Sequence, residues 1–227
     1  YLNYGGMGVV DAKGNIIQAF PNAGGSAGAW ALMSYFASGT YGYDNKYFIT
    51  GTIRADASSR FGPNNKWGYF PSFSGGWIVS KEKFMEKVAW LSNLKVRASW
   101  GQAGNQEIPN DGFDALYTKD SNGVHLVRLA NPDEKWETTS QSDVGMDVSI
   151  LKNQLSFSID YFEKKTTDIL LPLKPPGIVG NFMPSYFNSG EVTNKGLEVG
   201  LNFKNNSQEF KYNFNANIAT LANKVNK

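Results

Sequence analysis

Six segments of the sequence alternate apolar and polar side chains with a period of two residues. In residues 94–101, Leu94, Val96 and Trp100 stand on one side of the alternation, and Lys95 and Arg97 stand on the other. A β-strand turns successive side chains to opposite faces, so this period predicts strands with one apolar and one polar face. The six segments are 47–56, 94–101, 143–150, 155–161, 196–204 and 210–218. Weaker patterns predict two further strands and one short helix, at 29–42, 69–80 and 81–91 respectively.

The connections between these strands alternate in length. Short or helical connections fall at 43–46, 81–92, 152–154 and 205–208, and long ones fall at 57–68, 104–138 and 171–190. In an antiparallel meander, successive connections lie at opposite ends of the sheet, so the short turns share one rim and the long loops share the other. This asymmetry is typical of a transmembrane β-barrel. We therefore predict an all-β fold, an antiparallel up-and-down transmembrane β-barrel of which about eight strands are present.

Aromatic residues near the strand ends support the membrane interpretation. Tyr41, Tyr43 and Tyr47 flank the short turn at 43–46. Trp90 and Trp100 lie on either side of the next strand, which follows the connection at 81–92. Aromatic girdles of this kind mark the interfaces of membrane barrels. The alternative is a soluble β-sandwich or a solenoid, which would show the same alternation with its apolar face buried in a core. The asymmetry of the loops favours the barrel.

The composition of the chain argues against several classes of function. Its 227 residues include 22 Lys and Arg against 20 Asp and Glu, a balance that does not suit a nucleic-acid-binding surface. The chain has no cysteine, so disulfides, zinc–thiolate sites and cysteine nucleophiles are excluded. The single histidine, His125, excludes a multi-histidine metal site. We expect no cofactor and no metal.

Catalytic motifs are sparse. Asp111 and Asp114 could form a carboxylate pair or a calcium site, but they lack the ligand set of a calcium loop, and a solvated loop is the simpler interpretation. His125 has no Ser-His-Asp signature around it. We expect that the protein is not an enzyme. The remaining enzymatic alternative is a carbohydrate-active enzyme on a β scaffold, against which the missing acid/base pair argues.

Three blocks of the sequence carry a family resemblance. They are "YDNKYFITGTIRADASSRFGPNNKWGYFPSFSGGWIVSKEKFMEKVAWLSNLKVRASWGQAGNQEI" (43–108), "NPDEKWETTSQSDVGMDVSILKNQLSFSIDYFEKKTTDILL" (131–171) and "NSGEVTNKGLEVGLNF" (188–203). From about Ser34 to its C-terminus the chain resembles the SusC/RagA family, the TonB-dependent outer-membrane transporters of Bacteroidetes. The resemblance implies a multi-pass β-barrel in the outer membrane of a Gram-negative bacterium. In this interpretation 28–227 is part of the barrel wall, and 1–27 is an extracellular loop or hairpin segment.

The same resemblance implies that the sequence is one part of a larger protein. A complete family member has a barrel of roughly 22 strands, a signal peptide, a plug domain and a closing C-terminal strand, and we recognise none of the last three in this sequence. The implied function is TonB-dependent import of oligosaccharides, with a SusD-like surface lipoprotein as partner and the TonB complex acting through the plug region. One alternative is import of oligopeptides by the same machinery. An alternative of another class is a structural or adhesive β-protein without a transport role.

Candidate contact residues lie in the long loops. The stretch "SSRFGPNNKWGYFP" (58–71) has the Gly, Pro and Asn content of a loop but also carries aromatic residues and two cations. Trp67 would either stack on a sugar ring or pack under neighbouring loops, and packing is the favoured interpretation. The candidates for contact with substrate or with neighbouring loops are Trp67, Phe113, Tyr117, Phe182 and Tyr186.

The polar side of the strands carries charges of both signs, which we expect to face a wet lumen. These residues are Arg54, Asp56, Lys95, Arg97, Asp143, Asp147, Asp160, Glu198 and Lys204. They could bind the plug or guide a hydrated solute, but for any single residue a charge-balanced wall is the simpler interpretation. A wall of mixed sign selects strongly for neither anions nor cations, so it suits a neutral oligosaccharide as well as a peptide.

Overall fold

In the computed structural model, antiparallel β-strands dominate the chain. The structure describes residues 3–5, 9–10, 16–17, 22–24, 28–110, 112–120, 123–180, 183–205 and 209–226. The chain divides into two compact units, residues 1–30 and 31–227. Among the described residues, no helix is long and apolar enough to cross a membrane.

The first unit contains four short strands in two antiparallel pairs. β1 (Asn3–Gly5) pairs with β4 (Asn22–Gly24), and β2 (Val9–Val10) pairs with β3 (Ile16–Ile17). The β2–β3 pair has the strand arrangement of a hairpin, whose turn lies outside the described residues. The assignment of 1–27 to an extracellular segment stays a prediction.

The second unit is built around one nine-stranded antiparallel sheet. Eight long strands follow one another across it: β5 (Leu32–Tyr43), β6 (Tyr47–Ser58), β7 (Trp67–Ile78), β8 (Leu91–Asn105), β11 (Glu137–Ile150), β12 (Leu155–Leu173), β13 (Ser185–Asn205) and β14 (Tyr212–Ala219). The ninth, β15 (Ala222–Val225), pairs with β13 alongside β14. A separate hairpin of β9 (Leu116–Asp120) and β10 (Gly123–Arg128) lies within the connection between β8 and β11. The eight strands predicted from the alternation are therefore all present.

The register places residues of like polarity on the same face of this sheet. Lys95 of β8 pairs with Asp147 of β11, and Asp160 of β12 pairs with Glu198 of β13. When the pairing is followed from β5 to β14, all nine charged residues singled out from the sequence fall on one face, which we call the polar face. Apart from Phe48, which lies on the polar face, the aliphatic and aromatic residues of the alternation fall on the opposite face, which we call the apolar face.

Aromatic pairs stack between strands of the apolar face, two of them across neighbouring strands and one, Tyr35–Trp67, across the intervening β6. The ring centroids are 6.2, 6.2 and 6.4 Å apart in the pairs Tyr35–Trp67, Tyr47–Trp77 and Phe73–Trp100. These rings stay exposed: Tyr35 is 62% and Phe73 is 59% exposed. A β-sandwich would bury such a face against a second sheet, and in the described part of the chain no second sheet does so. An exposed apolar face is what a lipid-facing barrel wall presents.

The short connections lie together on one rim of the sheet. Asp44 and Asn45 both have positive φ, 51° and 49°, and Lys46 N donates to Tyr43 O over 3.0 Å. Two consecutive residues in this conformation make the type I′ turn whose twist matches that of a hairpin. The long connections lie together on the other rim, which we call the loop rim.

The helix predicted at 81–91 is wrong. The structure has two short 3-10 turns there, η1 (Val79–Lys81) and η2 (Lys83–Met85). A helix of about three turns is marginal in water unless tertiary packing supports it, but Phe84 and Trp90 are each 66% exposed. Helical periodicity without a surface to pack against did not produce a helix.

Glu82, between the two 3-10 turns, fixes this segment to the neighbouring strand ends instead. Its carboxylate accepts hydrogen bonds from Tyr47 Oη at 2.5 Å and from Trp77 Nε1 at 3.1 Å. Lys46 Nζ lies 3.6 Å from the same carboxylate. The segment is therefore shaped by hydrogen bonds to side chains on β6 and β7.

The strands extend further toward the loop rim than the alternation predicts. β12 and β13 have 19 and 21 residues, so the connection predicted at 171–190 shortens to 174–184. The first part of the β12 extension is polar on both faces, as in Lys164, Lys165, Thr166 and Thr167. Backbone pairing defines the strands there, and a pattern of apolar residues cannot show it.

Candidate functional site

The long connections pack together over a small buried core at the loop rim. Phe61 is fully buried, and Phe70, Ile108, Trp136 and Leu170 are at most 8% exposed. The rings of Phe61 and Phe70 lie 4.8 and 5.6 Å from that of Trp136, and Tyr186 packs against the group. We call these six residues the loop core. Because they come from separate loops and strand ends, their burial couples the loops to one another.

Hydrogen bonds tie the loop 59–66 to the next long connection. Arg60 Nη1 donates to Gln106 O over 3.0 Å. Trp136 Nε1 donates to Lys66 O over 3.1 Å, which satisfies the polar atom of a buried indole. The aromatic and cationic residues of this loop therefore serve its packing.

Gly62 makes the close approach of these two segments possible. A Cβ at this position would lie only 2.5 Å from Pro132 O, so any larger residue would push the segments apart. Next to it, Asn65 Nδ2 donates to Asp133 O over 3.0 Å. The tight turn of this loop is thus fitted to the 131–136 segment.

The beginning of β13, which follows the third long connection, is tied to the same segment. Asn188 Nδ2 donates to Lys135 O at 2.7 Å and to Asp168 O at 2.8 Å, and Asn188 Oδ1 accepts from Lys135 N at 3.0 Å. Ser185 Oγ, which is fully buried, donates to Leu129 O over 3.0 Å. Residues 129–136 are therefore contacted from both sides.

Glu134 is a buried acid within this segment. Its side chain is fully buried, and neither carboxylate oxygen has a hydrogen-bond partner in the described part of the chain. Gly112 lies against it, since a Cβ there would be 3.1 Å from Oε2. Burial raises the pKa of Glu134 to about 7, and the nearby positive charge of Arg128 opposes this rise. Near neutral pH the carboxyl group therefore exists in both protonation states.

The structure does not gather the five predicted contact residues into one site. Trp67 lies at the start of β7 on the apolar face, stacked on Tyr35. Tyr186 belongs to the loop core, whereas Tyr117 on β9 is 61% exposed. Phe113 is half-buried, and Phe182 lies outside the described residues. Contact of any of these residues with a substrate stays a prediction.

Arg97 joins three strands on the polar face. Its Nε lies 3.1 Å from Asp147 Oδ2, and its Nη1 lies 2.7 Å from Asp160 Oδ1. The second contact crosses Gly145, where a Cβ would clash with both Asp160 and Arg97. A glycine inside a strand often marks such a close approach. On the same face Arg54 Nε lies 2.7 Å from Asp56 Oδ1, so both arginines are neutralised by neighbours.

Hydroxyl and amide groups line a hollow on the polar face, a feature that the sequence prediction, which singled out charges, did not include. Its polar-face lining includes Thr50, Ser72, Ser74, Ser99, Thr139, Gln141 and Asp143. Thr50 and Thr40 are also joined across strands by a hydroxyl hydrogen bond of 3.1 Å. The available signal was the concentration of Ser and Thr on the polar side of the alternation.

The remaining candidates for metal binding or acid/base chemistry are acidic residues and His125. Within the described ranges, no cluster of three or more His, Asp or Glu side chains could hold a metal ion. Asp111 lies outside the described residues, so the predicted pair with Asp114 is not tested. His125 lies on β10, in the hairpin that emerges from the loop rim.

A protein-family model matches this chain along its whole length. The family model described as "TonB dependent receptor-like, beta-barrel" matches residues 1–227. The chain belongs to this β-barrel family. The match includes residues 1–33, so it begins earlier than the resemblance seen in the sequence, which starts at about Ser34. The predicted β-barrel fold is therefore confirmed.

Curated relatives narrow the family to its SusC/RagA branch. TonB-dependent receptor P39 of Formosa agariphila is 36% identical over 214 residues, and TonB-dependent receptor SusC of Bacteroides thetaiotaomicron is 33% identical over 210 residues. These alignments cover 88% and 86% of this chain but only 20% and 21% of the relatives. This TonB-dependent receptor-like chain thus spans about a fifth of the length of the curated relatives it matches.

Solved structures agree with that placement. The chain is similar to "Structure of the RagAB peptide transporter", with a TM-score of 0.78 and 30% identity over 87% of this chain and 22% of the other. It is also similar to the RagAB peptide importer in the "open-open" state, with a TM-score of 0.80 and 29% identity over 93% and 24% of the two chains. The predicted SusC/RagA family, the partial barrel fold and the outer-membrane location are all confirmed.

Proposed function

We propose that this TonB-dependent receptor-like chain forms part of the wall of an outer-membrane transporter that imports oligosaccharides. The polar face carries this proposal. Hydroxyl and amide groups line its hollow, and Arg54 and Arg97 are held by carboxylates of the same face. A wall of hydrogen-bonding groups with paired arginines suits a neutral, hydroxyl-rich solute. The nine charged residues predicted from the sequence would then line the lumen.

Import of oligopeptides is the second candidate. It is favoured by the likeness to the RagAB structures, which are described as a peptide transporter and a peptide importer. A polar wall of mixed sign would also accommodate a peptide backbone and its termini. Exposed loop aromatics such as Tyr117 would then form pockets for side chains, whereas for a sugar they would stack on the ring.

Two protein partners belong to this proposal. A SusD-like lipoprotein would cover the loop rim and capture the solute, and the TonB complex would act through the plug region of the transporter. The names of the relatives P39 and SusC support the dependence on TonB. In this arrangement residues 28–227 supply wall and loops, and the coupling of the loops by the loop core would keep the rim rigid while the plug moves.

The test uses the complete transporter that contains this chain, purified with its lipoprotein. Oligosaccharides and oligopeptides of matched size are titrated by calorimetry, and uptake of labelled ligands is measured in cells with and without TonB. We expect saccharide binding and TonB-dependent saccharide uptake. Peptide uptake alone would establish the second candidate. If neither solute is taken up in a TonB-dependent way, the transport proposal fails and a structural or adhesive role takes its place.

A further inference from the structure

The apolar face changes character abruptly on β11, β12 and β13. Val144, Tyr161 and Leu197 form one row across these three strands. The next row toward the loop rim consists of Ser142, Glu163 and Lys195. Successive rows on one face are about 7 Å apart along a strand, so the face passes from hydrocarbon to charge within that distance.

The polar region continues into a second row. Lys165 of β12 pairs with Thr193 of β13, and Thr193 pairs with Lys224 of β15. We call the six residues Ser142, Glu163, Lys165, Thr193, Lys195 and Lys224 the outer collar. They share the face of Tyr161 and Leu197, not that of the hydroxyl-lined hollow.

An aromatic pair stands beside the outer collar on the same side of the sheet. Trp100 of β8 pairs directly with Ser142, and the Trp100 ring stacks on Phe73 with centroids 6.4 Å apart. In membrane barrels aromatic rings concentrate at the level of the lipid headgroups. The row of Ser142 therefore lies at that level, and the outer collar lies at or just beyond it.

The side chains of the outer collar suit an anionic headgroup. Lys195 and Lys224 are exposed, and Lys165 Nζ lies 3.1 Å from Glu191 Oε1. Glu163 stands opposite Lys195 in the pairing. Asn226 Nδ2 donates to Glu191 Oε1 at 3.0 Å and to Thr193 Oγ1 at 2.7 Å. Glu191 thus holds Lys165 in place, and the ammonium groups and hydroxyls of the outer collar remain as donors for phosphate oxygens.

We propose that the outer collar binds phosphate-bearing headgroups of lipids in the outer leaflet. The lipid-facing apolar face runs directly into the outer collar, so the lipid that covers one also covers the other. Long lysine stems can lie along Tyr161 and Leu197 while their ammonium groups reach the headgroup level. This inference rests on the proposed function, because it requires that the polar face be turned to the lumen.

The test compares two lipids that differ only in the phosphate group. The complete transporter, purified in detergent, is titrated with phosphatidic acid or with diacylglycerol of the same acyl chains, and bound lipids are counted by native mass spectrometry. We expect retention of phosphatidic acid over diacylglycerol. The double variant Lys165→Ala/Lys195→Ala should weaken it by about fivefold for each lysine removed.

The matched control is Lys164→Ala, which removes the neighbouring lysine from the opposite face and should leave lipid retention unchanged. Equal binding of the two lipids, or equal loss in the control, would overturn the proposal. A dimer that the double variant dissociates would also overturn it, because a second copy of the barrel would then occupy the outer collar in place of lipid. A separate measurement would show whether the apolar face, and not the polar face, is turned to the lumen. In that case the Ile159→Cys variant of the membrane-embedded transporter would react with water-soluble reagents.

Discussion

At the scale of single residues, the surroundings of a charged group decide what it contributes. Arg97 gains two carboxylate partners because register brings Asp147 and Asp160 to it and Gly145 leaves room. Glu134 is fully buried and, among the described residues, receives no hydrogen bond on either oxygen. A buried carboxylate without such bonds costs free energy when it ionises.

The pKa of Glu134 predicts that the loops are more stable in acid. The pKa of Glu134 is about 7 in the folded state and 4.5 as its ordinary value, so the stabilisation from the protonated carboxyl group is fully present below pH 4.5. As the pH rises from 4.5 through 7, the free energy of unfolding falls by about 1.4 kcal/mol for each pH unit between the two pKa values. Hydrogen exchange of amides in 106–137, measured from pH 5 to pH 8, should show this loss.

Glu134→Gln provides the matched control, since it keeps the size of the side chain and cannot ionise. The ratio of protection between wild type and variant cancels the intrinsic pH dependence of exchange. We expect that ratio to fall as the pH rises through 7. A ratio that stays flat across the range would mean that Glu134 is already paired in solution.

At the scale of elements, the loop rim is a small folded unit of its own. The loop core draws residues from the β6–β7 loop, from β7, from the β8–β11 connection and from the facing ends of β12 and β13. Hydrogen bonds such as Trp136 Nε1 to Lys66 O join the same segments. The loops should therefore loosen together.

Trp136→Ala should release this unit while leaving the sheet intact. Removal of a buried indole costs about 3–5 kcal/mol, and Trp136 is 6% exposed and contacts both Phe61 and Phe70. We expect faster proteolysis of both 59–66 and 174–184, with unchanged resistance of the barrel to heating in detergent. The comparison variant is Trp67→Ala on the apolar face, which should leave both loops protected. Cleavage of only one loop would show that the loop core does not couple them.

At the scale of the whole molecule, the sheet is a wall whose two faces suit different solvents. The polar face carries hydroxyls and paired charges, and the apolar face carries exposed stacked aromatics. Family membership places this wall in the outer membrane. Which face of the wall meets water can therefore be measured by labelling residues of one strand that point to opposite faces.

Cysteine substitutions at Val96 and Ser99 should report that orientation. Val96 lies on the apolar face and Ser99 on the polar face of the same strand. In the membrane-embedded transporter, we expect a water-soluble maleimide to label Ser99→Cys at least tenfold faster than Val96→Cys, because thiolate formation requires water. These 227 residues contain no cysteine, and the transporter without either substitution is the control for labelling elsewhere in the protein. Equal labelling of the two variants would contradict the assignment of the polar face to the lumen.

The sequence allowed the faces of the sheet to be predicted well. All eight long strands were expected from the alternation, and all nine charged residues fall on one face, because a period of two fixes side-chain direction locally. The helix at 81–91 failed for the complementary reason. Whether this segment forms a helix depends on its tertiary surroundings. Hydrogen bonds from Tyr47 and Trp77 to Glu82 hold it in a non-helical conformation.

What the sequence determined by itself is the wall: strands, turns, and which side chains share a face. Only the tertiary structure decided the loop core, the burial of Glu134 and the Arg97 contacts across Gly145. Arg60 and Gln106 are 46 residues apart in the sequence, and Lys66 and Trp136 are 70 apart. Alternation is a property of neighbours along the chain and can be read from it. Register and loop packing bring distant residues together, and the free energy of those contacts exists only once the sheet has aligned them.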